Sequence, residues 1–331
     1  MARLDGSALK KVTVYVGEKN YYERQQLRDM FIAQGIKAVV CPATADALKQ
    51  MLLESPPDML VLSDDFDPLV FEIIKEIRHQ KLGDNPFMLI TMLVDPTRRK
   101  SLGDAMKAGV DDVVVKPVTS ERVRERINLV AFHRQPFIAH GEYVGPDRRT
   151  EPHTSAKKIP VLNTLLEKAN GKDFDKDQLR AAIHSSLERV LEAQLDSQSS
   201  KLGEVCGRAI RAYDSKFITI ELQNDLLMLA DVLQEASLVA ERLRDVQLVT
   251  LCRNLSENIV KMADHYDEPG VSEIDLLRKI TQAFQMAVVA KERMPLEAAP
   301  APAPAPAQLP LDDSSPPDGG LDLSVYATAT T

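Results

Sequence analysis

Asp58-Met59-Leu60-Val61-Leu62-Ser63-Asp64-Asp65-Phe66-Asp67-Pro68 decides the fold: four consecutive apolar residues follow Pro56-Pro57 and end abruptly in acids. A short apolar run without alternation, bounded by turn residues, is the pattern of a parallel strand buried on both faces. In an open α/β sheet ligands gather outside the carboxyl ends of the strands, so these acids stand where chemistry would be sited.

Outward from this strand the chain alternates. Strands are expected over 12–16, 36–40, 59–62, 87–93 and 113–115, and helices over 22–34, 44–53, 68–80, 97–108 and 120–132. Gly35 and Gly109 stop two of the helices. Five strands alternating with five helices through short connections require right-handed crossovers and a parallel sheet covered on both faces: a doubly wound, five-stranded, flavodoxin-like α/β domain. Residues 1–10 are a polar lead and 11–133 the domain. Residues 134–160, broken by Pro136, Gly141, Gly145, Pro146, Pro152 and Pro160, read as a linker with some fixed shape.

From 161 to 292 the pattern is helical. Leu179, Ile183, Leu187, Val190, Leu191 and Leu195 form one stripe, and Leu202, Val205, Cys206, Ala209, Ile210 and Tyr213 another. Segments 217–243, 246–266 and 272–289 follow, the last opening on the capping pattern Ser272-x-x-Asp275. Helices joined by short polar turns fold most simply as an antiparallel bundle. Residues 293–331, rich in Ala and Pro, read as a disordered tail.

Composition narrows the functions. Three widely separated cysteines without metal spacing exclude a disulfide framework and a zinc site, and a reducing cytoplasm is the natural reading. A formal net charge of −8 and only 5% aromatic residues argue against nucleic-acid binding, and no basic recognition helix is visible. No run of about 18 apolar residues exists to span a membrane. No paired acids, metal-spaced His/Glu or nucleophile motif occurs after residue 160, so no enzyme is expected.

Residues from about 11 to 132 resemble a response-regulator receiver domain (CheY-like), the module of two-component signalling and phosphorelays that accepts a phosphoryl group on an aspartate. The resemblance rests on Pro57–Leu62 before the acids, on Gly109-Val110-Asp111-Asp112-Val113-Val114-Val115-Lys116-Pro117, and on Arg24-x-x-Leu27. Tyr143-Val144-Gly145-Pro146-Asp147-Arg148-Arg149 further resembles a bacterial subgroup with a GPDRR linker and a helical C-terminal part. The resemblance implies a nucleophilic carboxylate, a divalent cation held by acids, and a lysine and a hydroxyl that bind the product charge.

Position by position the pocket departs from that pattern. Two acids should follow the first strand, and Glu18 and Lys19 stand there. The phospho-acceptor position, directly after the buried strand, is Ser63; counting back from Lys116 places it at Asp64, with Asp64-x-x-x-Pro68 matching the family spacing. Burial sets the strand register and favours Ser63. The switch hydroxyl position is Val94, with Thr91 about three residues too early. Lys116-Pro117 is retained, and the resemblance implies a cis peptide. Lys19 is expected to repel a divalent cation or replace its charge.

The preferred reading is a degenerate pseudo-receiver, without cofactor, that acts as a protein-interaction adaptor through a helical interaction or dimerisation module. Its partners would be a sensor kinase or other signalling proteins, with a homodimer as an open expectation. In the alternative, Asp64 is phosphorylated, Glu18, Asp64 and Asp65 hold Mg2+, and the bundle is of phosphotransfer type; there His184 is the histidine to watch, although an ordinary surface or structural histidine fits its surroundings better. A third, plainer reading has the acids only capping the third helix. Arg148 and Arg149 could clamp a phosphate, or pair with acids on either domain.

Overall fold

The computed structural model describes Leu4 and residues 6–141, 143–148 and 157–292. Arg149 and the 293–331 tail lie outside the described residues.

Strands β1 (Thr13–Gly17), β2 (Ala38–Val40), β3 (Met59–Ser63), β4 (Leu89–Val94) and β5 (Asp112–Val115) form one parallel sheet of order β2-β1-β3-β4-β5. The helices between and after them are α1 (Tyr21–Ala33), α2 (Ala45–Glu54), α3 (Val70–Arg78), α4 (Arg99–Ala108) and α5 (Ser120–Phe132). This is the doubly wound, flavodoxin-like order, and it includes receivers. The unbroken apolar run of β3 is explained by its central place: Met59 and Val61 pack with Leu27, Phe31, Val123 and Ile127 of α1 and α5, whereas Leu60 and Leu62 pack with Leu48, Ile73, Ile74 and Ala105 of α2, α3 and α4. Alternation is present, but both faces are core.

Local chemistry sets the helix ends. Asn20 caps α1 by accepting from Tyr22 N and Glu23 N, and Thr44 and Thr119 cap α2 and α5. α3 ends earlier than expected because Gln80 adopts φ 56°, and β2 and β4 begin two residues later than expected.

The stretch read as a linker contains an antiparallel hairpin, β6 (Phe137–His140) and β7 (Tyr143–Pro146), with Ile159 bridging to Phe137. Gly109 makes room for it. This residue ends α4 at φ +90°, and a Cβ there would come within 2.6 Å of the Val144 carbonyl oxygen. Gly109→Ala is expected to cost about 1–2 kcal/mol from the left-handed backbone alone, with a further loss from the displaced hairpin. A urea melt showing no change would contradict this.

α6 (Thr164–Ala169) belongs with the sheet: Leu165 lies in the core under α1 and α5, Asn163 donates to the carbonyls of Val130 and Ala131, and Lys168 pairs with Asp58 at 2.8 Å. The remaining helices are α7 (Lys176–Asp214), α8 (Ile220–Arg242), α9 (Val246–Asp264) and α10 (Val271–Glu292). α7 is one continuous helix carrying both expected stripes. Contacts Gln223–Ala263 and Ser256–Ala230 run in opposite senses along α8 and α9. Arg208–Asp225 and Arg278–Asp214 tie α8 and α10 to the C-terminal part of α7, and with short turns between them the four pack as a helical bundle. Its core includes Leu226, Leu229, Leu233, Cys252, Ile259, Ile280 and Phe284, together with Phe87, Phe137 and Ile159. α10 starts one residue before the expected cap: it is Glu273, not Asp275, whose carboxylate accepts from Gly270 N.

Candidate functional site

The sheet register brings Glu18, Ser63, Val94 and Lys116 to the carboxyl edge. Gly17 lies opposite Leu62, Ser63 opposite Leu93 and Val94 opposite Val115, and Lys116 N donates to Val94 O at 2.9 Å. β3 is buried from Met59 through Ser63. Asp64 N still donates to Leu93 O, and Phe66 N then turns back to Ser63 O. Ser63 is thus the last strand residue and Asp64 the first of the turn.

The acids after β3 have separate fates. Asp67 Oδ1 accepts from Leu69 N at 2.8 Å in the turn before α3, but the cap position is Leu69 and no acid side chain caps the helix, contrary to the plainer reading. Asp64 is 6% exposed, and both its carboxylate oxygens, with Asp65 Oδ1 and Ser63 Oγ, are buried without a hydrogen-bond partner. Such orphans are rare in folded proteins and mark a place where a water, an ion or a partner group can be received.

Glu18 is fully buried. One carboxylate oxygen accepts from Asn20 N and the other pairs with Lys116 Nζ, each at 2.8 and 2.7 Å respectively. Lys116 Nζ also pairs with Glu23 Oε2 at 2.9 Å. Burial depresses the Lys116 ammonium's pKa, but the hydrogen bonds and charges of Glu18 and Glu23 outweigh it and hold it above the usual lysine value. Arg24 Nη1 fixes the loop by donating to Glu18 O. Lys19, expected to bring its charge to the pocket, is exposed. The cation that meets the pocket's buried acid is Lys116.

Of the three acids that would hold Mg2+, Glu18 is already paired with Lys116, whereas the Asp64 oxygens and Asp65 Oδ1 are unpartnered. Among the described residues no three His, Cys, Asp or Glu side chains are grouped to hold a metal ion. The Lys116–Pro117 peptide is cis. Val94 presents a buried apolar side chain level with Lys116. Thr91 is three residues back, opposite Val61, and lines a cavity of about 20 Å3 with Leu27, Phe31 and Val123, room for about one water.

Away from the edge, Arg148 Nη2 donates to Val110 O at 2.6 Å and serves the hairpin, where the guanidinium also hydrogen-bonds Tyr143 and lies close enough to Asp112 for the two charges to attract. His184 is exposed on α7, 3.5 Å from Glu188. Cys206 and Cys252 are buried, and burial pushes the Cys252 thiol up to about 12, which removes it from thiolate chemistry.

Sequence reasoning missed Glu23, the second carboxylate on Lys116. Its only signal was an acid in the first turn of the helix that follows Glu18.

No protein-family model matches the chain, and no curated protein matches it. Among solved structures the chain is similar to full-length FixJ from B. japonicum, at 13% identity over 83% of this chain and 98% of that one, with a TM-score of 0.32. The receiver-like fold assigned here rests on the 2-1-3-4-5 parallel sheet and its alternating helices. Among the described residues no helix is long and apolar enough to cross a membrane.

Proposed function

We propose that this chain is a signal-transduction protein whose receiver-like domain works without ordinary aspartyl phosphorylation, as an adaptor that contacts other signalling proteins. The observation that carries this reading is the Glu18–Lys116–Glu23 cluster. The lysine that would bind a phosphoryl group is held by two carboxylates at 2.7 and 2.9 Å, and Ser63 ends the strand where the nucleophile would stand. A phosphoryl group would have to draw Lys116 away from Glu18, leaving a buried carboxylate without its counter-ion. The missing hydroxyl at Val94 removes the partner through which receivers register the new charge.

Protein contact is the natural output. Phe217 and Ile220 beside the α7–α8 turn and Val271 at the start of α10 are all more than half exposed, and the Arg278–Asp214 pair places that start next to the end of α7. Apolar side chains gathered at one end of a bundle suit a partner protein.

Incubation with acetyl phosphate and Mg2+, followed by intact-mass measurement, tests the proposal. The expected result is an unchanged mass. An adduct of about 80 Da, one phosphoryl group, that disappears in Asp64→Asn would overturn it. The unpartnered Asp64 oxygens favour that second reading, a working acceptor at Asp64, over any other alternative.

A further inference from the structure

The opposite edge of the sheet carries a second charged centre that the proposed function does not use. Asp111, just before β5, is shared by two arginines: Arg78 Nη2 reaches Oδ2 at 2.7 Å and Arg134 Nε reaches Oδ1 at 2.8 Å. Ile90 N also donates to Oδ2. Arg78, at the end of α3, spends its other donors on the carbonyls of Gly109, Pro86 and Met88. Arg134, beyond α5, donates to Leu162 O at the approach to the helical half.

Two guanidinium groups against one carboxylate leave a surplus positive charge at a buried site. The Phe137 ring of β6 takes it up. Arg78 and Arg134 lie over this ring at 5.1 and 5.0 Å from its centroid, within cation–π range. Phe137 is fully buried, meets Phe87 edge to face at 5.7 Å, and exchanges both backbone hydrogen bonds with Ile159. The same strand then packs on α7, where Ser197 Oγ meets His140 Nδ1 at 3.1 Å. One aromatic ring therefore belongs at once to the charged centre of the sheet and to the apolar core of the bundle.

We infer that Phe137 and its two arginines form a rigid coupling joint, which makes the parallel sheet and the helical bundle open and close as one body. The hairpin is then a strut rather than a tether. A change at α3 or β5 is carried to α7 through Asp111, the arginines and β6, and the helical half is not free to swing when the receiver-like half meets a partner. The inference is independent of which residue, if any, accepts a phosphoryl group.

Hydrogen exchange on the full chain, read by mass spectrometry across a urea series, tests it. In the wild-type protein the slowest amides of β3–β4 and those of α8 are expected to converge on one opening reaction. Phe137→Leu keeps the apolar volume but removes the ring face, and is expected to speed exchange in α8 by about tenfold relative to β3–β4. Arg134→Lys keeps the charge but loses the planar fork, and should separate the two halves in the same direction. It decides the matter should Phe137→Leu not fold. Independent opening of the halves in the wild-type protein overturns the inference, and so do variants that shift both halves equally.

Discussion

Asp111→Asn is expected to lower the stability of this protein by about 3–5 kcal/mol, the usual cost of breaking a buried ion pair from one side. The side chains of Asp111 and Arg78 are 2% and 0% exposed, so loss of the carboxylate charge strands two arginines that water cannot reach. At about 2–4 °C per kcal/mol, the melting temperature should fall by about 10 °C. Burial alone would raise the pKa of Asp111, but the charges of Arg134 and Arg78 and the amide of Ile90 outweigh it and hold the carboxyl below its ordinary value. A depressed carboxyl gives stability that is fully present above its unfolded pKa, about 3.9, and lost as pH falls through the folded value. Its neighbour works the other way. Burial pushes the Asp112 carboxyl up against the opposing pull of Arg126, so Asp112 contributes stability in acid that is lost as pH rises from the unfolded toward the folded value. Urea melts between pH 3 and 7 should therefore show an acid-side loss of stability that Asp111→Asn lacks and Asp112→Asn retains. A cost below about 1 kcal/mol, the range of exposed pairs, would mean that the arginines are held by their carbonyl acceptors alone.

What the sequence disclosed and what it hid divide by distance along the chain. The βα alternation is legible because periodicity and glycine stops act within a few residues, and Met59–Leu62 has to be a central strand because both of its faces are apolar. The charged centres are not legible: Arg78 meets a partner 33 residues away and Lys116 meets carboxylates more than 90 residues away, and no local pattern announces such pairs. The hairpin hides behind its prolines and glycines, although Phe137–His140 and Tyr143–Pro146 on either side of Gly141 are two short β-prone runs. The polar stretch Asp196–Ser200 separates the two apolar stripes. In the structure it continues α7, because Gln198 and Ser199 are buried and Ser197 bonds the hairpin. Polar residues there belong to a packing surface.

At the acid edge, Lys116→Met is expected to cost about 3–5 kcal/mol with no phosphoryl group present. Glu18 is fully buried, and without Lys116 its carboxylate keeps only the Asn20 amide. Glu18→Gln leaves Lys116 its exposed partner Glu23 and should cost less. The double variant Glu18→Gln/Lys116→Met removes both buried charges and should recover more than half of the single loss, since it leaves no uncompensated ion. The pH dependence has its own sign. The raised lysine pKa gives stability present below the unfolded value, about 10.4, and lost as pH rises through the folded one, so the wild-type protein should show an alkaline loss that Lys116→Met lacks. The cycle separates the two readings of the pocket. A lysine kept to bind a phosphoryl group adds little to the unphosphorylated fold, whereas a lysine that serves as the permanent counter-ion of Glu18 is needed by the resting protein. A neutral Lys116→Met would therefore return the pocket to phosphoryl chemistry at Asp64, and a large loss repaired by Glu18→Gln would mean that its charge is already satisfied from within.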